Sequence, residues 1–166
     1  MKNIVIIGGS DAGISAALRI REINPEINPI MIVADRFPNF SICGLPYYIS
    51  REVKLWENLA HRTRQDIEDQ GIHLLLEHKA QAIDPETKQI TVIDGIGVEQ
   101  VLSYDKLIIA TGALSLKPNI TGLDHPGVFF LRWLPDSIVI DEFIKQNNPQ
   151  SAVIIGAGYI GMEMAE

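Results

Sequence analysis

The chain opens with a strand, a glycine turn and the start of a helix, in Ile4-Val5-Ile6-Ile7-Gly8-Gly9-Ser10-Asp11-Ala12-Gly13. No other feature restricts the fold as strongly. The run over residues 2–7 alternates little and ends in consecutive apolar side chains, the pattern of a parallel strand covered on both faces. From Ala12 to Ile23, the residues Ile14, Ala17, Leu18 and Ile20 recur at helical spacing, with Arg19, Arg21 and Glu22 on the remaining surface. Asn24-Pro25 ends that helix. Ile30 to Val33 reads as a second buried strand, with Asp35 at its carboxyl end. The three pieces form a βαβ unit of the length a dinucleotide-binding fold requires.

The turn has the composition to hold a phosphate. Gly8 permits the tight bend, and Gly13 lets helix and strand pack closely. The N–H groups at the helix start, over Ser10, Asp11 and Ala12, can hold a pyrophosphate with the help of the helix dipole. Ser10 stands where the middle glycine usually falls. Asp35 follows Gly13 by about 20 residues, the distance at which a carboxylate meets a ribose hydroxyl. Arg36 sits beside it and joins the cofactor-binding candidates. The bland alternative is a turn that only folds the chain. Arg19, Arg21 and Arg36 can gather near a phosphorylated substrate, although singly each reads as an exposed surface charge.

Arg36 to Ile42 is a loop broken by Pro38, after which Cys43 begins a helix with Pro46 in its first turn. A polar helix over Thr63 to Gln70 precedes Gly71. Four β-like runs follow, Ile72–Leu76, Ala80–Ile83, Gln89–Ile93 and Val98–Leu102, and their turn signals predict a small antiparallel meander. Leu107–Ala110 is a further buried strand ending at Thr111-Gly112-Ala113. Residues 118–127 form a Pro/Gly-rich connector, and Pro135 to Gln146 reads as a helix. Ser151–Ile155 opens a second strand, glycine loop and helix, Gly156-Ala157-Gly158-Tyr159-Ile160-Gly161, with all three glycines. The two loops are a weak internal duplication. The expected class is α/β: a Rossmann-like domain with a parallel sheet and a small meander, cut at the start of a second such unit. A helix this short, with no following strand, cannot bury its apolar face. The chain therefore reads as the N-terminal part of something longer.

Cys43 is the only cysteine among 166 residues, so it closes no disulfide within the chain. Free cysteines often simply pack. A helix start, by contrast, favours the thiolate, which is the reactive form. Both readings stand at this level. The four histidines, His61, His73, His78 and His125, show no metal-ligand spacing, and no metal site is expected. His61-Arg62 reads as a solvated pair and Tyr47-Tyr48 as helix packing. A net charge of −7 argues against a nucleic-acid surface or a cationic membrane face. No run is long and apolar enough to span a bilayer, and Lys2-Asn3 leads into a β-like run rather than a signal peptide. The expected compartment is the cytoplasm, with neither nucleic acid nor membrane as partner.

Four segments occur in order at familiar spacings: Gly8 to Gly13, Ser41-Ile42-Cys43-Gly44-Leu45-Pro46-Tyr47, Tyr104 to Ala113, and Gly156 to Glu163. Together they resemble the FAD-dependent pyridine nucleotide-disulfide oxidoreductases. The nearest branch is the single-cysteine one of coenzyme A-disulfide reductases, NADH oxidases and NADH peroxidases. The resemblance covers the whole chain but only the first part of a family member. It implies an FAD-binding domain over 1–150, with the meander at about 72–102, and the truncated start of an NAD(P)H-binding domain over 151–166.

The resemblance implies that FAD lies along Gly8, Asp11, Ala12 and Gly13, with Asp35 near its ribose. Thr111 and Gly112 would run beside the flavin nucleotide, and Arg132 would stand near FAD. Cys43 would face the flavin ring, cycling between thiolate and a mixed disulfide or sulfenic acid. NADH or NADPH would meet Gly156, Gly158, Tyr159, Ile160, Gly161 and Glu163, with Tyr159 as the residue that shields the flavin. The acceptor would be a low-molecular-weight disulfide, or oxygen in an oxidase, and the parent protein a homodimer. The chain departs from the family where peroxidases carry a histidine and this loop holds Asp11. Ile42 precedes the cysteine where the disulfide reductases often have a polar residue. The family's ribose glutamate falls near Val33, leaving Asp35 as its substitute. A separate reading is a nucleotide-binding fragment without turnover, binding FAD weakly or not at all when isolated.

Overall fold

A computed structural model describes residues 3–166. In chain order the elements are β1 (Ile4–Ile7), α1 (Asp11–Ile23), β2 (Ile30–Val33), α2 (Leu45–Ile49), α3 (Arg64–Glu68), β3 (His73–Leu76), β4 (Lys79–Asp84), β5 (Gln89–Ile93), β6 (Glu99–Ser103), β7 (Lys106–Ile109), α4 (Leu134–Asn147) and α5 (Tyr159–Glu163). Single 3-10 turns lie at Ile42–Gly44 and Trp56–Leu59. The chain forms two compact units. One takes the chain up to Phe40 and then His61–Gly112; the other takes Ser41–Ala60 and Ala113–Glu166.

In the first unit the strands run parallel in the order β3-β2-β1-β7. Successive side chains of β1 leave on opposite faces. Ile6 joins Ile14, Ala17, Met31, Ile67, Ile72 and Leu74 in one core cluster. Val5 and Ile7 join Ile32, Ile90 and Val92 in another. The antiparallel sheet β4-β5-β6 thus supplies the cover for the second face through β5. Burial on both faces explains the unbroken apolar runs of β1 and β2.

The expected meander loses its first run. Residues 73–76 pair parallel with β2, Ile30 with His73 and Val33 with Leu76. Leu74 is buried and Leu75 and Leu76 are half-buried, so this run needs cover on both faces, which an outer meander strand lacks. The capping box of Thr63 and Asp66 starts α3, which delivers the chain to β3.

Three other expectations shift. The helix does not begin at Cys43. That residue sits within a 3-10 turn, and α2 starts at Leu45 with Pro46 in its first turn. Arg21 is no free surface charge. Its guanidinium donates to Gln70 O (2.7 Å), Ile27 O and Asn28 Oδ1 (both 2.8 Å), and Pro25 O, tying α1 to the loops at its C-terminal end. Arg19 pairs with Glu22 at 2.6 Å and Arg36 lies over the Phe37 ring, so the three arginines are engaged separately. Finally, Ser151–Ile155 forms no strand. Val153 and Ile155 are 90% and 77% exposed, because no described strand offers them a backbone ladder. No helix among the described residues is long and apolar enough to cross a membrane.

Candidate functional site

The first candidate site lies at the carboxyl end of β1. Gly8 has φ +114° and donates its N–H to Ile32 O at 2.9 Å. A Cβ on Gly8 would drive into the Ala110 carbonyl, so the chain after β7 packs directly on the turn, bringing Thr111 beside it. A Cβ on Gly13 would drive into the Gly8 carbonyl. These two approaches fold the turn back over the start of α1. Ser10 is the N-cap residue, yet its side chain caps nothing. The first-turn N–H groups of α1 have no intrahelical acceptor and point along the axis with the positive end of the dipole. This uncapped start fits an anionic phosphate. Asp11 and Ala12 are exposed there and Gly13 is buried.

Asp11 places a negative charge in that same first turn, and its environment answers it. Asn39 Nδ2 donates to Asp11 Oδ1 at 3.2 Å, while Arg62 Nη1 donates to Asn39 Oδ1 at 3.1 Å. The Asn39 N–H reaches Gly9 O at 3.3 Å, and its carbonyl accepts the His61 N–H at 2.9 Å. Asn39 is 2% exposed with φ +47°, a left-handed conformation that asparagine tolerates better than most residues. Asn39 carries no site signal in the sequence, and Arg62, read there as half of a solvated pair with His61, donates instead to Asn39. The only local signal was Pro38-Asn39 in a loop, and the bonds join segments far apart in sequence.

Asp35 is half-buried beyond β2, accepting the Phe37 N–H at 3.1 Å. Burial raises its pKa above 3.8, outweighing the Phe37 and Arg36 N–H groups and the Arg36 charge, which lower it. The folded chain therefore binds this proton more tightly than the unfolded chain does. Ionised Asp35 costs stability at neutral pH, and the cost fades as pH falls through the raised value to the ordinary one. Asp35→Asn is expected to raise the urea midpoint at pH 7, with the gain vanishing below 3.8. Paired titrations at the two pH values check this.

The second unit holds the thiol. Cys43 is exposed, which leaves the packing reading without support. Its 3-10 turn is pinned by the Gly44 N–H to Ser41 O (3.2 Å) and the Ser41 N–H to Leu59 O (2.7 Å). Leu45 and Tyr48 are buried, and Tyr47 points out. The expected packing pair thus splits. The Glu163 charge, and then a hydrogen bond to the same carboxylate, raise the pKa of Tyr47. Arg132 Nε donates to Ala113 O at 3.2 Å, its guanidinium lies over the Trp133 ring, and its N–H is held by Asp136 at 2.8 Å.

The second glycine turn repeats the first. Gly156 has φ +120°, and a Cβ on Gly161 would drive into the Gly156 carbonyl as one on Gly13 would into Gly8. Gly158 caps α5, and Tyr159, Ile160 and Glu163 are exposed. The bend is formed without the strand ladder that accompanies it in the first unit.

Known proteins bear on these sites. Residues 2–166 match the family described as pyridine nucleotide-disulphide oxidoreductase. The chain is 37% identical over 165 residues to a CoA-dependent NAD(P)H sulfur oxidoreductase of Pyrococcus furiosus, covering 99% of this chain and 37% of the relative. It is 33% identical to an NADH oxidase of Methanocaldococcus jannaschii, covering 97% of this chain and 36% of that protein. The solved structure of reduced Bacillus anthracis CoADR-RHD matches with a TM-score of 0.96 at 32% identity, over 99% of this chain and 30% of that one. The chain spans little more than a third of the length of the curated relatives it matches. From the family match over nearly its whole length, with the glycine turn and its four-stranded parallel sheet in place, the chain belongs to the pyridine nucleotide-disulphide oxidoreductases.

Proposed function

We propose that the protein containing this chain is a flavoprotein reductase that carries electrons from NAD(P)H, by way of FAD and Cys43, to a low-molecular-weight disulfide or persulfide of the coenzyme A type. The observation that carries this reading is an exposed, unpaired thiol held in a pinned turn, in a chain with an uncapped phosphate turn. The family is FAD- and NAD(P)H-dependent. Residues 1–150 would serve as the FAD domain, and 151–166 would begin the NAD(P)H domain.

When bound, the flavin supplies the two-electron relay between nicotinamide and sulfur. The first-turn N–H groups of Ser10, Asp11, Ala12 and Gly13 would hold its pyrophosphate, with Gly8 shaping the bend. Asp35 and Arg36 would face its ribose, Thr111 and Gly112 would line the nucleotide, and Arg132 would stand near it. Asn39 and Arg62 keep the Asp11 carboxylate engaged and so limit its repulsion of phosphate. Gly156, Gly158, Tyr159, Ile160, Gly161 and Glu163 would meet the nicotinamide nucleotide. Cys43 performs thiol–disulfide exchange: its thiolate attacks one sulfur of the acceptor, a mixed disulfide forms and one thiolate leaves. Two electrons and a proton from NAD(P)H then split the mixed disulfide, freeing the second thiol and restoring the thiolate.

An oxidase is the second reading, favoured by the 33% identity to an NADH oxidase. There Cys43 would pass through a sulfenic acid as oxygen is reduced. The full-length protein, supplied with NADH or NADPH, separates the two. The expected result is nicotinamide oxidation that requires coenzyme A disulfide, with little oxygen uptake. Brisk uptake with no disulfide present would establish the oxidase instead.

A further inference from the structure

Helix α4 buries a carboxylate on the face that also buries Leu134 and Ser137. Asp141 is 2% exposed. One oxygen, Oδ2, takes the ammonium of Lys145 one turn further on. The other, Oδ1, makes no hydrogen bond among the described residues, and Arg51 Nε stands 3.6 Å from it. The Tyr48 phenol faces the same side chain: burial first, and the Asp141 charge second, raise the Tyr48 pKa. Tyr48 belongs to α2. Arg51 follows it in a left-handed conformation, φ +68°, its N–H donating to Tyr48 O at 3.1 Å. The carboxylate thus gathers the end of the segment that begins with the Cys43 turn.

A buried carboxylate with an unsatisfied oxygen is an expensive way to join two helices, and an apolar side chain of similar size would join them at least as firmly. What a charged contact adds is register, because it fixes which residues meet. We propose that Asp141 is a positioning residue for Cys43: through Tyr48 and Arg51 it sets the register of α2 on α4 and thereby the placement of the 3-10 turn that carries the thiol. Its importance for turnover rests on the function proposed above. The contact itself does not.

Two variants of this chain test it, Asp141→Leu and Tyr48→Phe. Urea titration reads stability, iodoacetamide alkylation reads thiol reactivity, and the amide resonances of Cys43 and Gly44 read the turn. The expected result is a retained urea midpoint, with alkylation faster by about threefold or more and both resonances moved, the same way in each variant. If alkylation and resonances match the parent chain while the fold holds, Asp141 serves packing alone and the proposal falls. Should Asp141→Leu fail to fold, Tyr48→Phe decides by the same criterion. A Cys43→Ser protein that still turned over disulfide would remove the proposed function and leave these readouts standing.

Discussion

Cys43→Ser in the full-length protein is expected to abolish disulfide turnover, by on the order of a thousandfold or more in kcat/KM, while the visible flavin absorbance stays. Serine is nearly isosteric and keeps the pinned turn, since the bonds that hold it run through the backbone of Ser41, Gly44 and Leu59. The serine hydroxyl, however, stays protonated at neutral pH and forms no mixed disulfide. A thousandfold loss corresponds to ~4 kcal/mol of transition-state stabilisation. Steady-state rates with coenzyme A disulfide, beside an absorbance spectrum, give the answer. Undiminished turnover with bound flavin would take the sulfur out of the mechanism.

Gly8→Ala is the second large effect, and it acts on folding. Two costs meet at this position. A φ of +114° is hostile to any residue with a Cβ, and the added carbon would overlap the Ala110 carbonyl, which belongs to backbone and cannot swing away. Relief requires separating β1 from the segment after β7, which breaks the parallel sheet. The expected loss is at least about 4 kcal/mol, a large share of the stability of a domain this size. Circular dichroism and a urea titration should find the first unit largely unfolded. Gly156→Ala is the matched control. It has nearly the same φ, +120°, but nothing lies within 4 Å of its added carbon. It pays only the conformational strain, ~1–3 kcal/mol and confined to its own turn, so the main urea transition should hardly move.

The parts of this architecture that local pattern encodes were readable, and those needing distant segments were not. β1, α1 and β2 follow from apolar runs and helical spacing between adjacent residues, and the structure has all three. The run at Ile72–Leu76 carries the same signal for a parallel or an antiparallel strand. Only its pairing with β2 distinguishes them. Val153–Ile155 has strand composition but no pairing strand among the described residues, and composition alone does not make a ladder. At the candidate sites, glycine spacing and the lone cysteine were visible at once. Asn39 was not, because its role exists only when Gly9, Asp11, His61 and Arg62 converge on it. Asp141 was hidden for a different reason. Four residues before Lys145, it has the look of a solvated helix pair, and only burial shows otherwise.

The second glycine bend has the geometry of the first, although no strand among the described residues leads into it. Its curvature lies in about six residues, from Gly156 at φ +120° to the close approach of Gly161 to the Gly156 carbonyl. A stretch so small is a module that can be copied whole, and this chain carries it twice.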